Sequence, residues 1–178
     1  MLILAKIVVQ YQKNYLQKLD DDLNYYKELD LKTCINYATR ALGRIGQKHS
    51  HQRRLKILML QRMAKILAKL EVQISQMINF DDLYNLIKQN AIKGFGVVAI
   101  YDTTLRIGYH LGIFPTHVYL HAGVREGAEN LLSVSNKTIS INLEDMPEEL
   151  KILNAYHIEN LLCIYKTGKL RKEKQKVC

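Results

Sequence analysis

The stretch Ile92-Lys93-Gly94-Phe95-Gly96-Val97-Val98-Ala99-Ile100-Tyr101-Asp102-Thr103-Thr104-Leu105-Arg106-Ile107-Gly108-Tyr109-His110-Leu111-Gly112 decides how the chain is read. Two glycines around one apolar residue let a backbone reverse sharply after one helix and enter another, and Gly112 suits the far end of that second helix. The segment predicts a tight turn and then a helix stopping at Gly112. Backbone amides at such a helix start point outward and form a natural anion site, suited to a backbone phosphate.

Upstream, residues 11–29 carry an amphipathic pattern with Tyr15, Leu16, Leu19, Leu23 and Tyr26 on one face. Asp30 is placed to cap a helix from Leu31 to about Leu42. Gly43 to Ser50 reads as a loop. Ser50 then fits the N-cap of a long helix to about Met77, because Leu55, Leu58, Met59, Met63, Ile66, Leu67, Leu70, Ile74 and Met77 recur every three or four residues. Such a helix spans roughly 40 Å and forms the spine of the domain. Asn79 or Asp81 starts a further helix to about Gln89. Downstream, Ile113-Phe114-Pro115 breaks the pattern, and 116–123 fits a short strand or a helical turn. Val124 to Leu132 reads as a helix, 133–143 as a small hairpin or edge segment, Pro147 as a helix start, and Asn154 to Tyr165 as the last helix. With no internal repeat and no linker, the expectation is a mainly α single-domain helical bundle over 1–165, with at most a minor β element. A basic flexible tail, 166–178, follows.

The 178 residues are 48% apolar and 24% charged, which excludes fibrous, low-complexity and wholly disordered chains. No apolar run approaches the roughly 18 residues of a membrane span, and Lys6 interrupts the apolar opening, so neither a membrane nor a signal peptide is expected. Cys34, Cys163 and Cys178 are odd in number and far apart, which suits a reducing compartment, the cytoplasm by default. Cys163, flanked by apolar residues, reads as a buried small hydrophobe. The net charge is +9, and its distribution is uneven. From Leu31 to Leu70 ten Lys or Arg residues occur with no Asp or Glu, and deleting 166–178 lowers the charge to +4. Clustered basic residues are the footprint of a polyanionic partner, and a solvated basic face is the plainer reading.

The hairpin residues Ile92, Gly94, Phe95 and Gly96 carry an apolar-x-Gly-apolar-Gly pattern that resembles the helix-hairpin-helix DNA-binding motif. The following Asp102-Thr103-x-x-Arg106 with Leu111-Gly112 looks like the stretch after the hairpin in base-excision DNA glycosylases of that superfamily. The resemblance covers about residues 92–112. It implies that the hairpin holds duplex phosphates without reading sequence, and, in the enzymes, that an Asp supports cleavage of the base–sugar bond through an oxocarbenium-like transition state. The chain departs from those enzymes in three ways. The hairpin glycines lie only six residues from Asp102, no Lys follows Gly96, and the four-cysteine cluster of some members is absent.

Asp102 therefore has two readings, a catalytic carboxylate or an N-cap. Arg106 likewise reads as a phosphate contact or as the partner of Asp102 one turn earlier. His121 and Arg125, set among Gly123 and Gly127, can supply a proton and a positive charge, or mark a tight loop-to-helix junction. His49-Ser50-His51 lacks metal-ligand spacing and suits a phosphate-contacting helix start. No Walker loop, dinucleotide fingerprint or nucleophile elbow is present, so no cofactor or metal is implied. The leading expectation is DNA binding through phosphates by Gly94, Phe95, Gly96, Arg106 and Arg125, with Arg40, Arg44, Lys48, Arg53 and Arg54 extending the track. The alternatives are a glycosylase-like or nucleotide-acting enzyme using Asp102 and His121, and an interaction subunit with a protein partner.

Overall fold

The computed structural model describes residues 2–49, 52–132, 134–135 and 137–166. It is mainly helical with one small sheet, and among the described residues no helix is long and apolar enough to cross a membrane. Although no linker is legible in the sequence, the chain divides into two compact units, Lys18–Phe114 and the two segments Met1–Gln17 and Pro115–Cys178.

Within Lys18–Phe114, α2 (Gln17–Lys27) precedes α3 (Leu31–Arg40), which Asp30 caps by accepting a hydrogen bond from the Thr33 amide at 2.9 Å. Ala41, in the left-handed region at φ 56°, ends α3 and opens a closed loop in which Gly43 N–H donates to Gln47 O and His49 N–H to Ala41 O. Next come α4 (Ile57–Ala68), α5 (Glu71–Ser75), α6 (Phe80–Gln89) and α7 (Val97–Leu111). Helix α3 packs on α4 and α7, and α6 packs on α7. Cys34, Ile35, Ala38, Met63, Leu67, Leu83, Ile87 and Ile107 are all fully buried, as their three- and four-residue spacing requires.

The single long helix expected from Ser50 to Met77 is not formed. Ser50 and His51 lie outside the described residues, Lys56 is extended (φ −65°, ψ 129°), and the helix begins only at Ile57. Tertiary bonding explains this delay: Gln52 is buried and its amide is tied to α7, which holds the chain away from the helix axis there. At the other end Lys69 and Leu70 donate to Ile66 O and Leu67 O in tight turns before α5 starts. Apolar periodicity survives such a break, because each half keeps its own buried stripe.

In the other unit, α1 (Leu2–Tyr11) continues into a π-helical turn, Gln12–Leu16. Strand β1 (His117–Tyr119) pairs antiparallel with β2 (Ser140–Asn142), in the register Val118 opposite Ile141. Helix α8 (Ala122–Leu131) packs on α9 (Ala155–Ile164), which also packs on β1. The approach of α8 to α9 depends on Gly127, where an added Cβ collides with the Leu162 carbonyl oxygen. Pro147 does not open a helix. Residues 147–153 form successive turns, with Leu150 bonded to Pro147 O and Leu153 to Leu150 O, because the segment is too short to propagate before Asn154 caps α9.

Candidate nucleic-acid interface

Asn79 caps α6 by accepting from the Asp82 amide, and the chain turns back after Gln89. Phe95 N–H donates to Ile92 O at 2.9 Å and the Phe95 ring is buried, so an apolar anchor pins the turn from inside. Gly94 sits at φ +93°, a conformation that side chains rarely adopt. Gly96 (φ −80°, ψ 179°) is the N-cap of α7, and the first bond of that helix runs from Ile100 N–H to Gly96 O. The amides of Val97, Val98 and Ala99 therefore lie in the first turn, before intrahelical bonding begins. An added Cβ at Gly96 meets nothing within 4 Å, so the fold itself does not demand glycine there. The tight turn expected from the sequence is thus present, and the helix that follows it runs from Val97 to Leu111 with Gly112 at its end. Asp102 consequently lies inside α7 rather than at its cap, because Gly96 performs the capping.

Beside the hairpin runs a groove of about 930 Å³, lined by the first turns of α4 with Ile92 and Lys93. Four cations, Lys56, Arg62, Lys65 and Lys93, face it with no carboxylate in its lining, and all four are exposed. Arg44 pairs with Glu28, Arg106 with Asp102, His121 with Glu159, and Lys151 with Glu148, each away from the groove lining. Ile57 and Leu58, 61% and 70% exposed, supply an apolar floor between the charges. Ile57 also lines a smaller pocket of about 210 Å³ with Arg40 and Lys48. These groove cations were not singled out from the sequence. The signal that points to them is the acid-free block containing Lys56, Arg62 and Lys65, together with Lys93 inside the hairpin motif.

The residues that were singled out divide into several groups. Gly94, Phe95 and Gly96 form the hairpin, and Arg53 and Arg54 are exposed. Arg40 donates to Asn36 Oδ1 at 3.1 Å, and Lys48 donates to Leu55 O at 2.9 Å. Arg44 is held by Glu28 through two bonds of 2.8 and 2.6 Å and lies over the Tyr25 ring. That bond holds the Glu28 carboxyl below its ordinary range, so Arg44's charge is already answered. Arg106 is buried, donating to Ala38 O and Gln52 Oε1, with Asp102 Oδ2 at 3.6 Å from its guanidinium. Gln52 closes the ring by donating to the same Asp102 oxygen at 2.9 Å. Of its two sequence readings, the intramolecular partnership with Asp102 describes Arg106, since its donors face protein.

Next to this node, the Tyr26 hydroxyl donates to Leu42 O and lies 3.1 Å from His49 Nε2. Burial pushes that hydroxyl up to about 12, with Arg106 opposing the shift. Burial likewise pushes the Cys34 thiol up to about 12, which leaves it a poor nucleophile. Cys163 is half-buried rather than buried.

His121 and Arg125 belong to the other unit. His121 precedes α8 with its Nε2 3.6 Å from Glu159 Oε1, both side chains being about nine-tenths buried. Arg125 donates to Leu120 O at 3.1 Å and Thr138 O at 2.7 Å, tying the end of β1 to the approach to β2. Asp102, Arg106 and His110 lie in Lys18–Phe114, whereas His117, His121 and Arg125 lie beyond Pro115. Comparisons with known protein families, curated proteins and solved structures find no match for this chain.

Proposed function

We propose that this protein binds nucleic acid, DNA foremost, through backbone phosphates and with little sequence preference. The observation that carries the reading is the pairing of an open hairpin, whose helix starts at a glycine the fold does not require, with a groove lined by four cations and no carboxylate. A phosphodiester backbone is held by positive charge and by close approach to amides; the groove supplies the first and the first turn of α7 the second. Contacts of this kind position a duplex without reading its bases. Asp102, bound by Gln52 and Arg106, belongs to the fold in this reading and not to the interface.

The test is a fluorescence titration of duplex DNA with the wild-type chain and the variant Lys56→Gln/Arg62→Gln/Lys65→Gln/Lys93→Gln. The expected result is micromolar or tighter binding by the wild type and a loss of at least about tenfold in the variant at low salt. Equal affinity of the two proteins for duplex overturns the groove as the interface.

A further inference from the structure

We propose that the small pocket beside the groove receives the terminal phosphate monoester of a nucleic-acid strand. The inference rests on the reading of the larger groove as a nucleic-acid track. Arg40 and Lys48, both half-buried, line this pocket of about 210 Å³ together with Leu42, Gly46, Ile57 and Leu60. No carboxylate lines it. Each cation is positioned by a single neutral acceptor, Arg40 by Asn36 Oδ1 and Lys48 by the Leu55 carbonyl. A guanidinium has five donors and an ammonium three, so most of their hydrogen-bonding capacity remains available. Two like charges brought together at partial burial repel each other until an anion joins them.

Size and charge narrow the occupant. The pocket is smaller than the roughly 300–1,000 Å³ of ordinary small-molecule sites, so one anionic group fits it better than a whole nucleotide. A monoester carries about −1.5 to −2 at neutral pH, close to the charge of the two cations, whereas an internal diester carries less. Its wall is fixed in place: Leu42 and Lys48 form a bridge across the closed loop, and Gly43 N–H donates to Gln47 O. Because Ile57 lines both spaces, a strand lying along the groove brings its end to this pocket.

The experiment compares three labelled oligonucleotides of one sequence, ending in a 5′-phosphate, a 3′-phosphate or hydroxyls only, against the full chain and the variants Arg40→Gln and Lys48→Gln. One terminal phosphate is expected to tighten wild-type binding by about tenfold, and each variant is expected to lose that gain, binding its phosphate-ended and hydroxyl-ended strands alike. Which end gives the gain identifies the strand polarity. Equal binding of all three strands by the wild type, or a gain that persists in both variants, overturns the proposal. If the hydroxyl-ended strand does not bind the wild type at all, the groove reading has failed. Inorganic phosphate then tests the pocket alone: a rise in melting temperature lost in both variants supports an anion site for free phosphate, and no rise overturns it.

Discussion

Arg106 brings a positive charge into the interior of Lys18–Phe114, and Asp102 is the carboxylate that answers it, so the two side chains stand or fall together. Asp102→Asn keeps the shape but removes the countercharge, leaving a buried guanidinium bonded only to neutral oxygens. The expected cost is about 1–3 kcal/mol, read by urea denaturation, with duplex affinity unchanged. A stable Asp102→Asn variant that loses DNA binding contradicts the structural role. Tyr26, one turn from the α3 cap, makes a pH prediction. Its hydroxyl moves from 10.0 up to about 12 through burial, so the folded state holds this proton more tightly than the unfolded chain does. Stability from this group is complete below pH 10.0 and is lost as pH rises toward about 12. Tyr109, also raised to about 12, acts in the same direction. Chemical denaturation across pH 8 to about 12 is expected to show falling stability above about pH 10, with a shallower fall in Tyr26→Phe.

The hairpin between α6 and α7 contains two glycines that serve different ends. Gly94 needs its positive φ, so Gly94→Val strains the turn and costs about 1–2 kcal/mol. Gly96 has an ordinary φ and open space, so Gly96→Val is expected to cost only about 0.5–1 kcal/mol, the difference between glycine and a branched residue at a helix N-cap. The same change places a branched side chain where the proposed interface brings a phosphate to the first turn of α7, and it is expected to weaken duplex binding several-fold. Unchanged affinity in the folded Gly96→Val protein removes the hairpin amides from the interface. The pair of variants separates what the turn needs for folding from what it presents to a ligand.

At the scale of the molecule, the charge is sorted more finely than the net +9 conveys. In Lys18–Phe114, acidic groups meet partners of their own: Glu28 binds Arg44, and Asp20 accepts from the Tyr109 hydroxyl at 3.1 Å. The groove cations have no such answer among its lining residues. Each phosphate neutralised releases counterions, so affinity falls steeply with salt. In the titration proposed above, the logarithmic salt slope is expected to be shallower by about 3–4 in the four-charge variant, near 0.9 per lost contact. A slope that does not change shows that those side chains touch no phosphate.

What the sequence determined by itself was local. Asp30 and Asn79 announced helix starts, Gly112 a helix end, and Gly94-Phe95-Gly96 a tight turn, because caps and positive φ depend on a few neighbouring atoms. The acid-free basic block was equally legible, and it holds three of the four groove cations. Tertiary structure decided the rest. Only folding could draw Gln52 into a bond with Asp102, and so delay α4 to Ile57 against its apolar pattern. Only folding could bury Arg106 while leaving Arg62 exposed, since both are arginines on amphipathic helices and differ in what packs over them. Charge and turn chemistry are written along the chain, whereas burial and partnership arise between segments far apart in it.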